Sequence, residues 1–130
     1  MFNIQIRYLS FFFGIISILS FFNIVYSYYL NLYLNLDTYY FSLIISLILT
    51  ILFYKIKRIE KKANVFDKIL TVFFGYLLIP LILSIPFYLS IYNLTFLNSF
   101  FEAISGFTST GFSTFENIKH IDQSLILWRS

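Results

Sequence analysis

Cysteine is absent and histidine occurs once among the 130 residues. Those two absences exclude disulfides, thiolate metal sites, cysteine nucleophiles and most histidine-rich catalytic constellations. Charge is scarce too: Asp, Glu, Lys and Arg make up 12% of the chain, about half of the roughly 25% usual in globular proteins. Nine basic residues against six acidic ones leave a net charge of only +3, and most of the basic ones cluster in one segment, so a nucleic-acid-binding surface is not expected. The apolar stretches contain no paired aspartates, no HExxH and no Ser–His arrangement, which argues against an intramembrane enzyme. What is abundant is apolar: 59% hydrophobic and 23% aromatic residues, with a mean hydropathy of +0.82. That much apolar surface needs a bilayer, and a single all-α membrane domain is expected.

Three apolar runs approach the length of a membrane span. The first, 8–26, has 19 residues and would rise about 28 Å as a helix. A cleaved signal peptide is the alternative, but bulky Tyr26, Tyr28, Tyr29 and Leu30 follow instead of a small-x-small site. The second run is 39–54, with Tyr28, Tyr29, Tyr33, Tyr39 and Tyr40 placed as an interfacial aromatic belt. The third, 69–92, holds no charge but includes Pro80 and Pro86, so a kink is expected near 78–84. Ser10 and Gly14 have small-xxx-small spacing in the first run, a pair too common to weigh.

The chain is thus divided into two leading transmembrane helices (1–57), a basic loop (58–68) and a third span (69–92). Lys55, Lys57, Arg58, Lys61, Lys62 and Lys68 lie in or beside the basic loop, which the positive-inside rule places in the cytoplasm together with Arg7. The inner side then carries seven basic and two acidic residues, and the outer side two basic and four acidic. The loop reads first as a topology signal and second as a contact for anionic lipid or a cytoplasmic partner.

Residues 93–107 are apolar yet too short to cross, which suggests a re-entrant helix. Ser99 with Glu102 makes a capping box, with Thr95 an alternative N-cap one turn earlier, and Gly106 is the expected terminator. Glu102 has two readings, a cation attractor in an outer vestibule or the acid of that capping box. A loop, 108–114, follows. A Thr/Ser/Gly strand after a short helix has the chemistry of an ion filter: backbone carbonyls replace hydration water, Gly111 permits the backbone geometry, and the helix dipole faces the cation. An ordinary outer loop is the bland reading of the same residues. His120 has no ligand partner at metal spacing, and Asn93-Leu94-Thr95 is a sequon that abuts the membrane.

Phe101-Glu102-Ala103-Ile104-Ser105-Gly106-Phe107-Thr108-Ser109-Thr110-Gly111 resembles the first pore loop of TrkH-type subunits in the Trk/Ktr/HKT superfamily of potassium transporters. Residues 125–130, LILWRS, are similar to the stretch before the next membrane helix of that family, and Ile85-Pro86-Phe87-Tyr88 to the end of its first pore-domain helix. Two departures stand out: Ser109 where threonine is usual, and Phe112 where a small residue is frequent. The resemblance implies three transmembrane helices plus a pore helix and filter loop, an incomplete part of a four-repeat helix–pore-loop–helix fold. It implies potassium uptake across a bacterial cytoplasmic membrane, N-terminus inside. Thr108, Ser109, Thr110 and Gly111 would bind the ion, with potassium held through Thr110 and Gly111, and Ser99, Glu102, Ser105 and Gly106 would support the pore helix. It further implies no cofactor beyond the transported ion, and as partners the remaining pore repeats, a cytoplasmic nucleotide-binding regulatory subunit and a second copy in a dimer. Residues 115–130 would lead to a second helix of the repeat. One pore loop encloses no ion, so the fragment alone is expected to be inactive. The competing reading is a non-transporting membrane anchor or accessory subunit.

Overall fold

The computed structural model describes residues 6–56, 64–116 and 118–130. Among them the secondary structure is entirely helical: α1 (Ile6–Tyr29), α2 (Leu36–Lys55), α3 (Val65–Leu83), α4 (Ile85–Tyr88), α5 (Phe96–Phe107), a 3₁₀ turn (Ile118–His120) and α6 (Gln123–Arg129). Three stretches are long and apolar enough to cross a membrane: Tyr8–Tyr29, Leu36–Lys55 and Val65–Tyr88. Each includes the greater part of a run anticipated from hydropathy, and α1 and α2 extend beyond those runs by a few residues at each end.

α1 and α2 form a tight antiparallel hairpin, turned by Asn31 in the left-handed region (φ 56°), a conformation asparagine adopts more readily than most residues. The facing surfaces are small and hydroxylated. Ser10, Ser17, Ser20 and Ser27 are buried on α1, and Thr38, Ser42 and Ser46 on α2. Ser20 and Ser42 share a hydrogen bond between hydroxyls at 3.2 Å. Other hydroxyls fold back onto their own helices, as Ser17 does onto the Gly14 carbonyl and Thr50 onto Ser46. Small side chains let two backbones approach, which is how helices associate where lipid removes the hydrophobic drive. The opposite faces are exposed Phe, Ile and Leu, as lipid-facing or helix-facing surfaces require.

α3 begins at a capping box between Asn64 and Asp67, with the Asn64 N–H donating to Asp67 Oδ2 at 3.2 Å. Pro80 lies inside α3, and the helix stops at Leu83. Pro86 cannot donate to the Ile82 carbonyl, so Ser84 caps both helices and the chain restarts at Ile85 as the short α4. The interruption falls at the outer limit of the kink expected at 78–84. Most of the basic loop, 57–63, lies outside the described residues, so its placement is not addressed by the fold.

Two apolar clusters hold the bundle. Leu9, Phe13 and Ile16 of α1 pack on Ile79 and Ile82 of α3. Ile24, Tyr39, Phe87, Ala103 and Leu125 form the second, joining five helices at the other end of the hairpin. α5 and α6 are therefore part of the packed body and not appendages to it.

Candidate functional site

The helix α5 starts at Thr95, whose side chain accepts from the Asn98 N–H at 3.3 Å. The alternative N-cap is thus the one used. The Ser99–Glu102 capping box is not formed, because Ser99 lies one turn inside and its hydroxyl donates back to the Thr95 carbonyl at 3.0 Å. Both are residue types that cap helices, and Ser99 instead falls on the inward face with Glu102, Ala103 and Ser105.

α5 runs alongside α3 and α4. Phe96, at its start, meets Tyr88 at a ring-centroid distance of 6.4 Å; Phe107, at its end, meets Tyr76 at 5.5 Å. Its 12 residues rise about 18 Å, so its end sits beside the middle of the third apolar stretch. The chain then turns back. Phe115 lies 5.9 Å from Tyr92, and Asp122 is bonded through its N–H to the Tyr92 hydroxyl at 2.7 Å, at the level where α5 began.

The turn is built from the residues anticipated as the filter. The helix does not stop at Gly106. It continues to Phe107 and closes with a Schellman arrangement: the Ser109 N–H donates to the Gly106 carbonyl and the Thr110 N–H to the Ser105 carbonyl, both at 3.0 Å. Ser109 takes the left-handed position usually given to glycine (φ 55°), and Gly111 follows with φ 78°. Gly106 serves another purpose: a Cβ there would come within 2.6 Å of the Arg129 carbonyl oxygen, so its missing side chain admits the end of α6.

Thr108, Ser109, Thr110 and Gly111 are all exposed. Among the described residues no donor reaches the carbonyls of Thr108, Ser109 or Thr110, whereas the Gly111 carbonyl accepts from Arg129 Nη2 at 3.1 Å. The oxygens offered as a group for potassium are therefore divided, and that of Gly111 is occupied by a guanidinium in this conformation. Phe112, the bulky departure, is exposed, and its carbonyl accepts from both Arg129 Nη2 at 2.6 Å and Ser105 Oγ at 2.5 Å. Ser105 also braces Thr110 through their hydroxyls at 3.2 Å.

Glu102 is fully buried. Its Oε1 accepts from the Ser113 hydroxyl at 2.9 Å, the Thr114 hydroxyl at 2.9 Å and the Thr114 N–H. Its Oε2 lies 3.2 Å from Arg129 Nε, an ion pair without an aligned hydrogen bond. A buried carboxylate requires this degree of compensation. α6 is in turn fixed to the leading hairpin. Asn35 donates to Asp122 Oδ2 at 2.9 Å, Tyr39 to Ser124 Oγ at 2.8 Å, and Asn23 to the Ser124 carbonyl at 3.1 Å. The Trp128 indole N–H donates to the Leu83 carbonyl at 3.0 Å, at the break between α3 and α4. None of Arg129, Asp122 or Ser124 stood out by local spacing; their partners are far away in sequence. His120 is exposed, and no group of three metal-ligating side chains occurs among the described residues.

The chain is similar to an uncharacterized cation transporter of Methanocaldococcus jannaschii, with 29% identity over 119 residues, 90% of this chain and 25% of that protein. The chain therefore spans about a quarter of the length of that relative. No family model matches it, and no solved structure does.

Proposed function

We propose that this chain forms part of a cation transporter, of Trk type, that moves potassium across the cytoplasmic membrane. The observation that carries the reading is the course of the chain around α5: inward beside α3 from Tyr88 to Tyr76, a turn of exposed Thr and Ser residues, and outward again to Tyr92. A turn that offers bare carbonyls at the depth of mid-span has a purpose if it lines water or binds an ion, since lipid does not tolerate it. The similarity to a cation transporter over nine-tenths of the chain supports the same direction.

In this reading α5 is a re-entrant pore helix and 108–111 the filter loop. The carbonyls of Thr108, Ser109 and Thr110 supply the ligands, and Gly111 supplies the backbone turn. Further pore repeats complete the oxygen cage, a cytoplasmic nucleotide-binding subunit and a second copy complete the assembly, and the N-terminus is inside. The test is uptake by liposomes containing the full-length protein that carries this segment. Potassium should enter faster than into protein-free liposomes and ahead of sodium. Uptake at the protein-free level for both ions overturns the reading in favour of an anchor or accessory role.

A further inference from the structure

Arg129 holds the loop at two carbonyls and is itself held by α5. Its Nε is 3.2 Å from the Glu102 carboxylate, and its Nη2 donates to the carbonyls of Gly111 and Phe112 at 3.1 and 2.6 Å. Its own backbone oxygen rests against Gly106, where a Cβ would stand 2.6 Å away. Glu102, fully buried, reaches the outward limb of the same loop at Ser113 and Thr114. The pair thus ties α5, the loop and α6 into one unit, and it removes two carbonyl oxygens from those a cation could use.

We propose that Arg129 is a positioning residue for cation discrimination: anchored by Glu102, it turns the Gly111 and Phe112 carbonyls away from the ion path and so fixes where the ion-coordinating stretch ends, at Thr110. This rests on the reading of 108–111 as the filter. Two features make the assignment specific to arginine. The guanidinium is a planar fork that presents Nε to one partner and Nη2 to another at once. A lysine ammonium is a single point on a flexible stem and cannot span the carboxylate and both carbonyls. The charge is also needed, because Glu102 is buried and an uncharged partner would leave its carboxylate uncompensated.

The experiment uses the full-length protein that carries this segment, in liposomes, with potassium and sodium uptake measured separately for the parent, Arg129→Lys, Glu102→Gln and, as control, Lys119→Gln. A nitroxide attached at Phe112→Cys, an exposed position, reports loop mobility without reference to transport. Arg129→Lys and Glu102→Gln should each reduce the potassium-to-sodium ratio roughly tenfold, equivalent to about 1.4 kcal/mol. The double variant should do little more, since both changes release the same clamp. The label should become more mobile in both single variants and remain at the parent value in Lys119→Gln. Arg129→Lys keeps the charge and most of the volume, so it carries the test if Glu102→Gln fails to accumulate. An unchanged ratio in Arg129→Lys at parental abundance overturns the proposal, as does a fall of both fluxes with the ratio preserved. A parent that does not discriminate between the ions, with a label that is still mobilised by Arg129→Lys, overturns the filter reading and leaves the clamp as a structural device.

Discussion

The leading hairpin and the α5–loop–α6 unit solve the same problem, holding backbone together away from water, by opposite means. The hairpin uses small hydroxylated side chains and neutral hydrogen bonds, with Ser20 on Ser42 at its centre, and its facing surfaces carry no charge. The second unit uses a buried carboxylate, a guanidinium and two residues with positive φ in its loop. Neutral small-residue packing tolerates loss of a single contact, because neighbouring turns maintain the approach. A buried charge network does not, because removal of one member leaves the others desolvated and unpaired. The uneven distribution of such groups suggests that the hairpin is scaffold and that precision is concentrated around the loop.

The largest test of this contrast is Glu102→Ala. It strands the Arg129 guanidinium and the donors of Ser113 and Thr114, and should cost about 3–5 kcal/mol, measured as a fall in unfolding midpoint in detergent. A loss under about 1 kcal/mol would mean that the pair is solvated and the contrast false. Gly106→Ala comes next. The added Cβ meets the Arg129 carbonyl oxygen at 2.6 Å, and the forced shift of α6 should cost about 1–3 kcal/mol on the same measurement. Gly14→Ala in the hairpin meets Thr50 only at an ordinary 3.8 Å and should be tolerated.

Gly111→Ser tests the loop without packing. A Cβ there meets nothing within 4 Å, so the φ of 78° is the only obstacle, at about 1–2 kcal/mol. Selectivity between potassium and sodium in the full-length protein should suffer more than membrane abundance, and equal selectivity at equal abundance would remove the loop from the filter. The smallest effect should come from Ser20→Ala, which deletes the central hydroxyl pair of the hairpin. About 0.6 kcal/mol is the usual size for such a bond between membrane helices. A loss several times larger would show that the hairpin, too, depends on a single polar contact.

The three spans were legible because run length alone limits where a chain can cross, and the interruption after Leu83 followed from Pro80 and Pro86. The short helix after the third span was legible as well, within a few residues. Its exact start was not, since Thr95 and Ser99 are both good N-cap types and the sequence favoured Ser99 through its capping box with Glu102, whereas Thr95 caps the helix. The role of Gly106 was not legible, because glycine serves either as terminator or for close approach, and the approaching residue lies 23 positions further on. The regular spacing of Thr38, Ser42, Ser46 and Thr50, four residues apart, was a visible signal of the packing face on α2. Arg129 and Asp122 read as ordinary outer charges, because their roles arise from contacts across 27 and 87 residues.

The link from Asn23, Asn35 and Tyr39 to α6 has a consequence for the order of biogenesis. When the ribosome has delivered the hairpin to the membrane, those three side chains already line its inner face, but their partners, Asp122 and Ser124, are more than eighty residues away in the chain. Until α6 arrives, the amides and the phenol must be satisfied by water at the membrane surface or by the insertion machinery, since hydrocarbon offers no partner. The hairpin can therefore close early along its serine face while its turn end remains open. Docking of α6 would be the step that commits the nascent bundle, and it brings Arg129 to the loop in the same movement.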